Sequence, residues 1–431
     1  MLTLINLIDN HLNISYNITM NIKEIINKKA LKKCLTKAEI EFAINGYSCG
    51  EILDYQMSAL LMAIKINGMT AKETFYLTSA MASSGDIINL KSKDCFVDKH
   101  STGGISDTTT PAVAPICACA GVKMLKLSGR SLGFTGGTAD KLESFDGYNV
   151  NLQIPQALDL VNKNGACIIT SSQNLAPADK KLYALRDLTA TVESIPLIAS
   201  SIMSKKIASG ANAIVLDVKY GNGAFMKTKE MAIKLAKLMV KIGHSFGKKM
   251  DYIIGNMNQP LGYNIGNKLE MHEAIEALSG KPGPLYDAIV EISAKCIALG
   301  LNISVQDATT KVKQIISSGQ AIEKFKQMVK DQGGSLKLFK GLGLKPKLQI
   351  FATTCGNLTH INCAKLGMLA GDLGGSRKKL NDQIDYNVGI KTFHKLNSKI
   401  KKGDLLFEVF AKTKSDATKI SEELLSCYKI I

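Results

Sequence analysis

The chain has 431 residues, 45% hydrophobic and 21% charged, which predicts two or three folded domains and excludes a largely disordered chain. No apolar run of about 18 residues occurs, which excludes a transmembrane helix. The net charge of +17 is spread over the whole length, beside abundant Lys, Asn and Ile and no Trp, so it reads as compositional bias and not as a nucleic-acid-binding surface.

Residues 1–19 have neither a basic n-region nor a small-residue cleavage site and read as an extension, not a signal peptide. From Ile22 to about Asn89 apolar residues recur at helical spacing, as in Ala59, Leu60, Ala63, Ile64 and Ile66. Gly46, Gly50, Gly68 and Gly85 punctuate them. This predicts a small all-helical domain over 20–90. From about Cys95 short apolar or β-branched runs appear at 122–127, 166–170 and 213–218, alternating with amphipathic helices such as 231–242. That alternation predicts an α/β domain over 91–177 and 211–344, with a mixed, mainly parallel sheet flanked by helices. The stretch 178–210 interrupts it with two helices, predicted to join the helical domain. Beyond 345, the runs 348–353, 385–390 and 405–411 read as strands of a smaller C-terminal α+β domain.

Ten cysteines are scattered without a CxxC pair. Cys355, His360 and Cys363 lie close together but lack the second half of a zinc site. Thiols without a framework point to a reducing, cytoplasmic location.

Three clusters carry chemistry. Residues 98–107 read DKHSTGGISD, a glycine turn feeding a helix expected to begin at Pro111, with Asp107 and Thr108 as caps and Gly121 as its stop. Such a turn is an anion site, and Lys99, Ser101 and Thr110 add donors suited to phosphate. A second loop, SGRSLGFTGGT over 128–138, follows a strand ending at Lys126, with Thr138 opening a helix and Asp140 in its first turn. Two loops of this kind can converge on one anion at the carboxyl edge of a parallel sheet. Neither matches GxxxxGK[ST] or GxGxxG. The third cluster is Arg186 on a helix at 180–189, with Ile198, Ser201 and Lys205 sharing one face of the next, 196–208. A stripe of apolar group, hydroxyl and cation suits a planar ligand with carbonyl acceptors; a loop-to-helix turn and a partly exposed helix remain the plain structural alternatives.

The segments KHSTGG, SGRSLGFTGGTADKLE, LYALRDLTATV, SIMSKKIASGA, LDVKYGNGAFM and QPLGYNIGNKLE occur in this order, followed by GGSRKKLNDQID and a KKGD turn. Together, from about Met20 to the C-terminus, they resemble the thymidine and pyrimidine-nucleoside phosphorylase family. The resemblance implies phosphate binding by Lys99, Ser101, Thr110, Lys126, Ser128 and Thr138. It implies that His100, Arg186, Ser201 and Lys205 hold the pyrimidine, between apolar walls from Val192, Ile198 and Phe225. It further implies a potassium site at Ser106, Thr108, Leu261, Asn264 and Glu273, with Glu273 expected at the start of an amphipathic helix. Departures from the family pattern are Phe134 in place of a usual His, Ser106 and Asn264 in place of small residues, and Tyr220 and Asn222 within the VKxGxGAFM segment.

What the resemblance implies is reversible phosphorolysis of thymidine or deoxyuridine, with uridine as a further substrate, giving free base and an α-sugar 1-phosphate. His100, Arg186 and Lys205 are the expected catalytic groups. The partners are a pyrimidine nucleoside and inorganic phosphate, with potassium but no organic cofactor, no nucleic acid and no membrane. The family also implies a homodimer and closure of the helical domain over the α/β domain. Two alternatives compete: an anthranilate-type phosphoribosyltransferase, which shares glycine-rich phosphate loops, and a non-enzymatic basic nucleic-acid-binding protein, which rests on net charge alone.

Overall fold

The computed structural model describes residues 20–90, 94–130, 136–170, 174–377 and 382–431. The expectations for residues 1–19 and for Phe134 lie outside them.

Four helices open the described chain: Ile22–Ala30, Lys37–Cys49, Asp54–Asn67 and Ala71–Ala82. Thr36 with Glu39 and Thr70 with Glu73 form capping boxes, satisfying orphan N–H groups at two helix starts. Glu73 also accepts from buried Lys29 at 2.8 Å and from Leu35 N at 2.9 Å, so one cap ties three segments together. The bundle core takes in Ala178, Leu182, Leu185 and Leu197 from the returning helices Pro177–Leu188 and Ile195–Ala208. The second of these turns Ala199, Met203 and Ile207 towards the α/β layer instead. Between these two apolar sides Ser201 and Lys205 share one stripe, four residues apart.

The central sheet has five parallel strands: β1 (Val97–Ser101), β2 (Met124–Ser128), β3 (Ala166–Thr170), β4 (Ala213–Tyr220) and β5 (Lys249–Asn256). β1, β4 and β5 pair in that order, β2 pairs with β3, and a single parallel bridge, Phe96 to Lys123, joins the two blocks. The spatial order is therefore β3-β2-β1-β4-β5, and chain direction across the sheet reverses between β1 and β4. That reversal opens a crevice at the carboxyl ends of the strands. In β4, Ile214, Leu216 and Val218 pack in one core, with helix Lys229–Ser245. Ala213 and Val215 pack in another, with helices Thr109–Cys119 and Pro284–Leu301. Burial on both faces is why β2, β3 and β4 read as apolar runs, whereas β1 (VDKHS) and β5 do not.

The C-terminal domain combines antiparallel strands in two sheets with the helices Cys363–Ala370, Lys414–Lys419 and Ser421–Leu425. The outermost strand of the larger sheet, Asn264–Ile265, comes from the preceding α/β chain and pairs with Gly389–Thr392. The strand expected at 385–390 is displaced to Gly389–Thr392, because the Asp385 side chain accepts from Asn387 N at 2.9 Å and makes a turn there. Asn222 explains one departure from the family pattern. Its side chain donates to Ile361 O at 2.9 Å and accepts from Cys363 N at 2.8 Å, tying the loop after β4 to the C-terminal domain. None of the ten cysteines is disulfide-bonded, and no single helix among the described residues is long and apolar enough to cross a membrane.

Candidate active site

A cleft of about 770 Å³ opens at the carboxyl ends of β1 and β2 and runs beneath the two returning helices. His100, Ser101, Thr110, Lys126, Ser128 and Thr138 line it from the α/β domain, with Phe225 from the loop after β4, and Arg186, Val192, Ile198, Ser201 and Lys205 line it from the returning helices and the turn between them. The structure thus gathers every expected substrate residue on the cleft wall except Lys99.

Lys99 lies behind the wall, its side chain 1% exposed. Its Nζ is 2.6 Å from Thr109 Oγ1, 3.5 Å from Thr110 Oγ1 and 3.1 Å from Asp217 Oδ2. Its donors are directed at groups under the loop, so in this state it shapes the anion site from below. The helix begins at Thr109, two residues before Pro111, because Asp107 Oδ1 takes Thr109 Oγ1 at 2.7 Å and Thr109 N at 3.4 Å. Ser101 Oγ accepts from Gly103 N at 3.1 Å and donates to Asp107 Oδ2 at 2.5 Å. Burial alone would raise the Asp107 pKa, but Lys99, Lys219 and the Ser101 and Thr109 hydroxyls hold it well below the ordinary carboxylate range. Gly103 has φ +88°, and a Cβ on Gly104 would sit 2.6 Å from Met257 Cε. Gly103 needs glycine for its conformation, whereas a side chain at Gly104 would have to displace the Met257 thioether.

Two groups that the sequence did not single out complete this wall. Asp98 is buried and accepts from Lys126 Nζ at 3.1 Å and from Lys206 Nζ at 2.6 Å. One carboxylate between two ammonium groups leaves a surplus positive charge beside the anion loops. Burial pushes the Lys126 pKa down to about 7, with Asp98 opposing and Lys206 adding to the shift. His100 stands over this group with Nε2 buried and unpartnered among the described residues. Burial and the charges of Lys206, Lys126, Lys205 and Lys99 hold its pKa well below 6.5, so it is a neutral imidazole at pH 7.

On the opposite wall Arg186 is buried and held by three carbonyls: Val192 O at 2.8 Å, Leu197 O at 3.1 Å and Thr191 O at 3.3 Å. Burial lowers its pKa, and Asp179 and Tyr183 partly offset that. Lys205 pairs with Asp179 and donates to Ser201 Oγ at 3.3 Å. Asp179 was not legible as a site residue. It follows Pro177 in a helix's first turn, where an acidic residue ordinarily complements the helix dipole.

Ser106, Leu261, Asn264 and Glu273 meet around Gly262. A Cβ there would be 2.5 Å from Glu273 Oε2 and 2.6 Å from Ser106 Oγ. Ser106 has φ +60°, which accounts for the usual small residue, and its buried hydroxyl has no partner among the described residues. Glu273 lies in the second turn of helix Asn267–Leu278, not at its start, and accepts from Tyr263 N at 2.8 Å and Asn264 N at 3.0 Å. Burial raises its pKa. The Thr108 hydroxyl departs from the expected set, donating to Glu270 at 2.6 Å. An all-oxygen cluster with one carboxylate and an unpartnered hydroxyl has the chemistry to take a monovalent cation, although the Leu261 carbonyl already accepts from Lys395 Nζ at 3.3 Å.

Comparison with known proteins assigns the chain to a family. Residues 23–85 match the helical bundle domain of a glycosyl transferase family, 93–322 match its a/b domain, and 357–431 match the pyrimidine nucleoside phosphorylase C-terminal domain. The chain is 46% identical over 399 residues to a pyrimidine-nucleoside phosphorylase of Bacillus subtilis, covering 91% of this chain and 92% of that one. It belongs to the pyrimidine-nucleoside phosphorylase family. A second relative, from Geobacillus stearothermophilus, is 46% identical over 405 residues, again covering 91% and 92% of the two chains. The anthranilate phosphoribosyltransferase of Thermus thermophilus shares the fold, with a TM-score of 0.60 over 72% of this family member and 99% of that chain, but is only 17% identical.

Proposed function

We propose that this chain catalyses reversible phosphorolysis of pyrimidine nucleosides. The observation that carries the reading is a single cleft with anion loops on one wall and a cation-hydroxyl clamp on the other. Inorganic phosphate is the nucleophile, held by the loops around Ser101, Thr110, Ser128 and Thr138 with charge from Lys126. It attacks C1′ from the face opposite the base; the C1′–N1 bond breaks as the C1′–O bond forms, giving an α-sugar 1-phosphate. Negative charge grows on the leaving pyrimidine, where Arg186 and Lys205 meet the ring carbonyls and Ser201 the edge between them. His100 donates a hydrogen bond from its neutral ring to the leaving base, and Val192, Ile198 and Phe225 sandwich the ring. Ser106, Leu261, Asn264 and Glu273 would hold potassium, with Thr108 alongside them; the ion would supply charge that fixes the segment behind the anion loop. The ten unpaired cysteines support a cytoplasmic enzyme. Exposed Tyr55, Met62 and Ile66 on one face of helix Asp54–Asn67 support dimerisation through the helical domain.

A panel of thymidine, deoxyuridine, uridine and cytidine with phosphate tests the reading. Uracil and thymine nucleosides should be cleaved at least about 10²-fold faster than cytidine, because the clamp offers donors to two ring carbonyls and cytosine has one. Equal cleavage of cytidine would contradict the assigned clamp.

A further inference from the structure

The segment 259–265 runs from the anion loop to the C-terminal domain, and one half-buried side chain outside the cleft fastens it. Lys395 Nζ donates to Pro260 O and Gly262 O, both at 2.6 Å, and lies 3.3 Å from Leu261 O and 4.4 Å from the Tyr263 ring centroid. The next residue, Leu396, donates its N–H to Gln259 Oε1 at 2.8 Å. On its other side the segment reaches the anion loop directly, Leu261 N donating to Ile105 O at 3.1 Å. Three successive carbonyls converging on one point repel one another unless a cation sits there, and buried carbonyls left without donors are costly.

We propose that Lys395 is a positioning residue for phosphate: its ammonium is a tethered cation that holds carbonyls 260–262, and through them the Ile105–Asp107 turn, in the anion-binding form. This rests on the reading of that loop as the phosphate site. The effect therefore falls on one substrate. Lys395→Met is expected to raise the KM for phosphate about tenfold while leaving the KM for nucleoside within about twofold, as expected for lost charge-assisted hydrogen bonds behind one subsite. Lys395→Arg, which keeps a cation and donors, should recover part of the loss. Calorimetric titration with phosphate alone, in potassium and in tetramethylammonium buffers, should show the same weakening in both, since the tether is not the free ion. Should Lys395→Met fail to fold, Gln259→Ala decides, with an expected rise of about two- to fivefold in the phosphate KM only. Unchanged phosphate KM and affinity in a folded variant, or an equal rise in both KM values, would overturn the proposal. A wild-type enzyme indifferent to phosphate would instead remove the underlying reading.

Discussion

Arg186 and Lys205 answer to different constraints, and their variants should differ accordingly. Arg186 is fixed by three carbonyls before any ligand arrives, so it is preorganised; Lys205 must share itself between Asp179 and an incoming base. Each Ala variant should lose about 10²-fold or more in kcat/KM, as for lost stabilisation of transition-state charge. Arg186→Ala should also lower the melting temperature clearly, because a buried guanidinium that ties three carbonyls together is lost; Lys205→Ala, at a partly exposed side chain, should lower it less, through the Asp179 carboxylate left unpaired. Steady-state kinetics beside thermal melts separates the two. Lys126 allows a second test at this scale. With its pKa at about 7, part of the population is neutral at pH 8, and a bound anion favours the ammonium. Sulfate, a dianion throughout this range, should therefore bind with proton uptake at pH 8 and much less at pH 6. Calorimetry in two buffers of different ionisation enthalpy reads this directly, and persistence of the uptake in Lys126→Met would assign it elsewhere.

At the scale of elements, the cleft depends on how the helical domain is hung from the sheet. Two of the crossings are backbone contacts at glycine. A Cβ on Gly85 would lie 2.0 Å from Asn174 O, and one on Gly210, at φ +84°, would lie 2.1 Å from Ile88 O. Asp86 N to Asn174 O at 2.9 Å and Ile88 N to Ala208 O at 2.8 Å lie beside them. Gly85→Ala must push these strands of chain apart and should cost about 1–3 kcal/mol, as overpacking does. Gly50→Ala, where a Cβ meets open space at φ +89°, is the control at about 1 kcal/mol from left-handed backbone alone. Urea denaturation compares them; Gly85→Ala no worse than Gly50→Ala would show that the crossing yields. The helices and parallel strands around these crossings were legible in the sequence because burial imposes a strict period. The turn at Asp385 was not, because a side-chain hydrogen bond outweighed the apolar pattern of 385–390.

For the molecule as a whole, legibility followed the same division. Loops and helix faces that bear Lys126, Ser101, Arg186 and Lys205 were visible because glycine, hydroxyl and cation together are rare in a bland segment. Asp98, Lys206, Asp179 and Lys395 were not, because each acts through a partner far away in sequence: 108 residues separate Lys206 from Asp98. Spacing rules cannot carry that information; only the fold does. What the assembled molecule offers is a positive floor under two anion loops, facing a base clamp carried by another domain, so cleavage of the glycosidic bond should be inseparable from phosphate. The direct measurement is product analysis with uridine or thymidine in buffer stripped of phosphate and then resupplied, following base by absorbance and sugar phosphate by phosphorus NMR. The account predicts no base release without phosphate and one α-sugar 1-phosphate per base with it. Base released in phosphate-free buffer together with free sugar would contradict it.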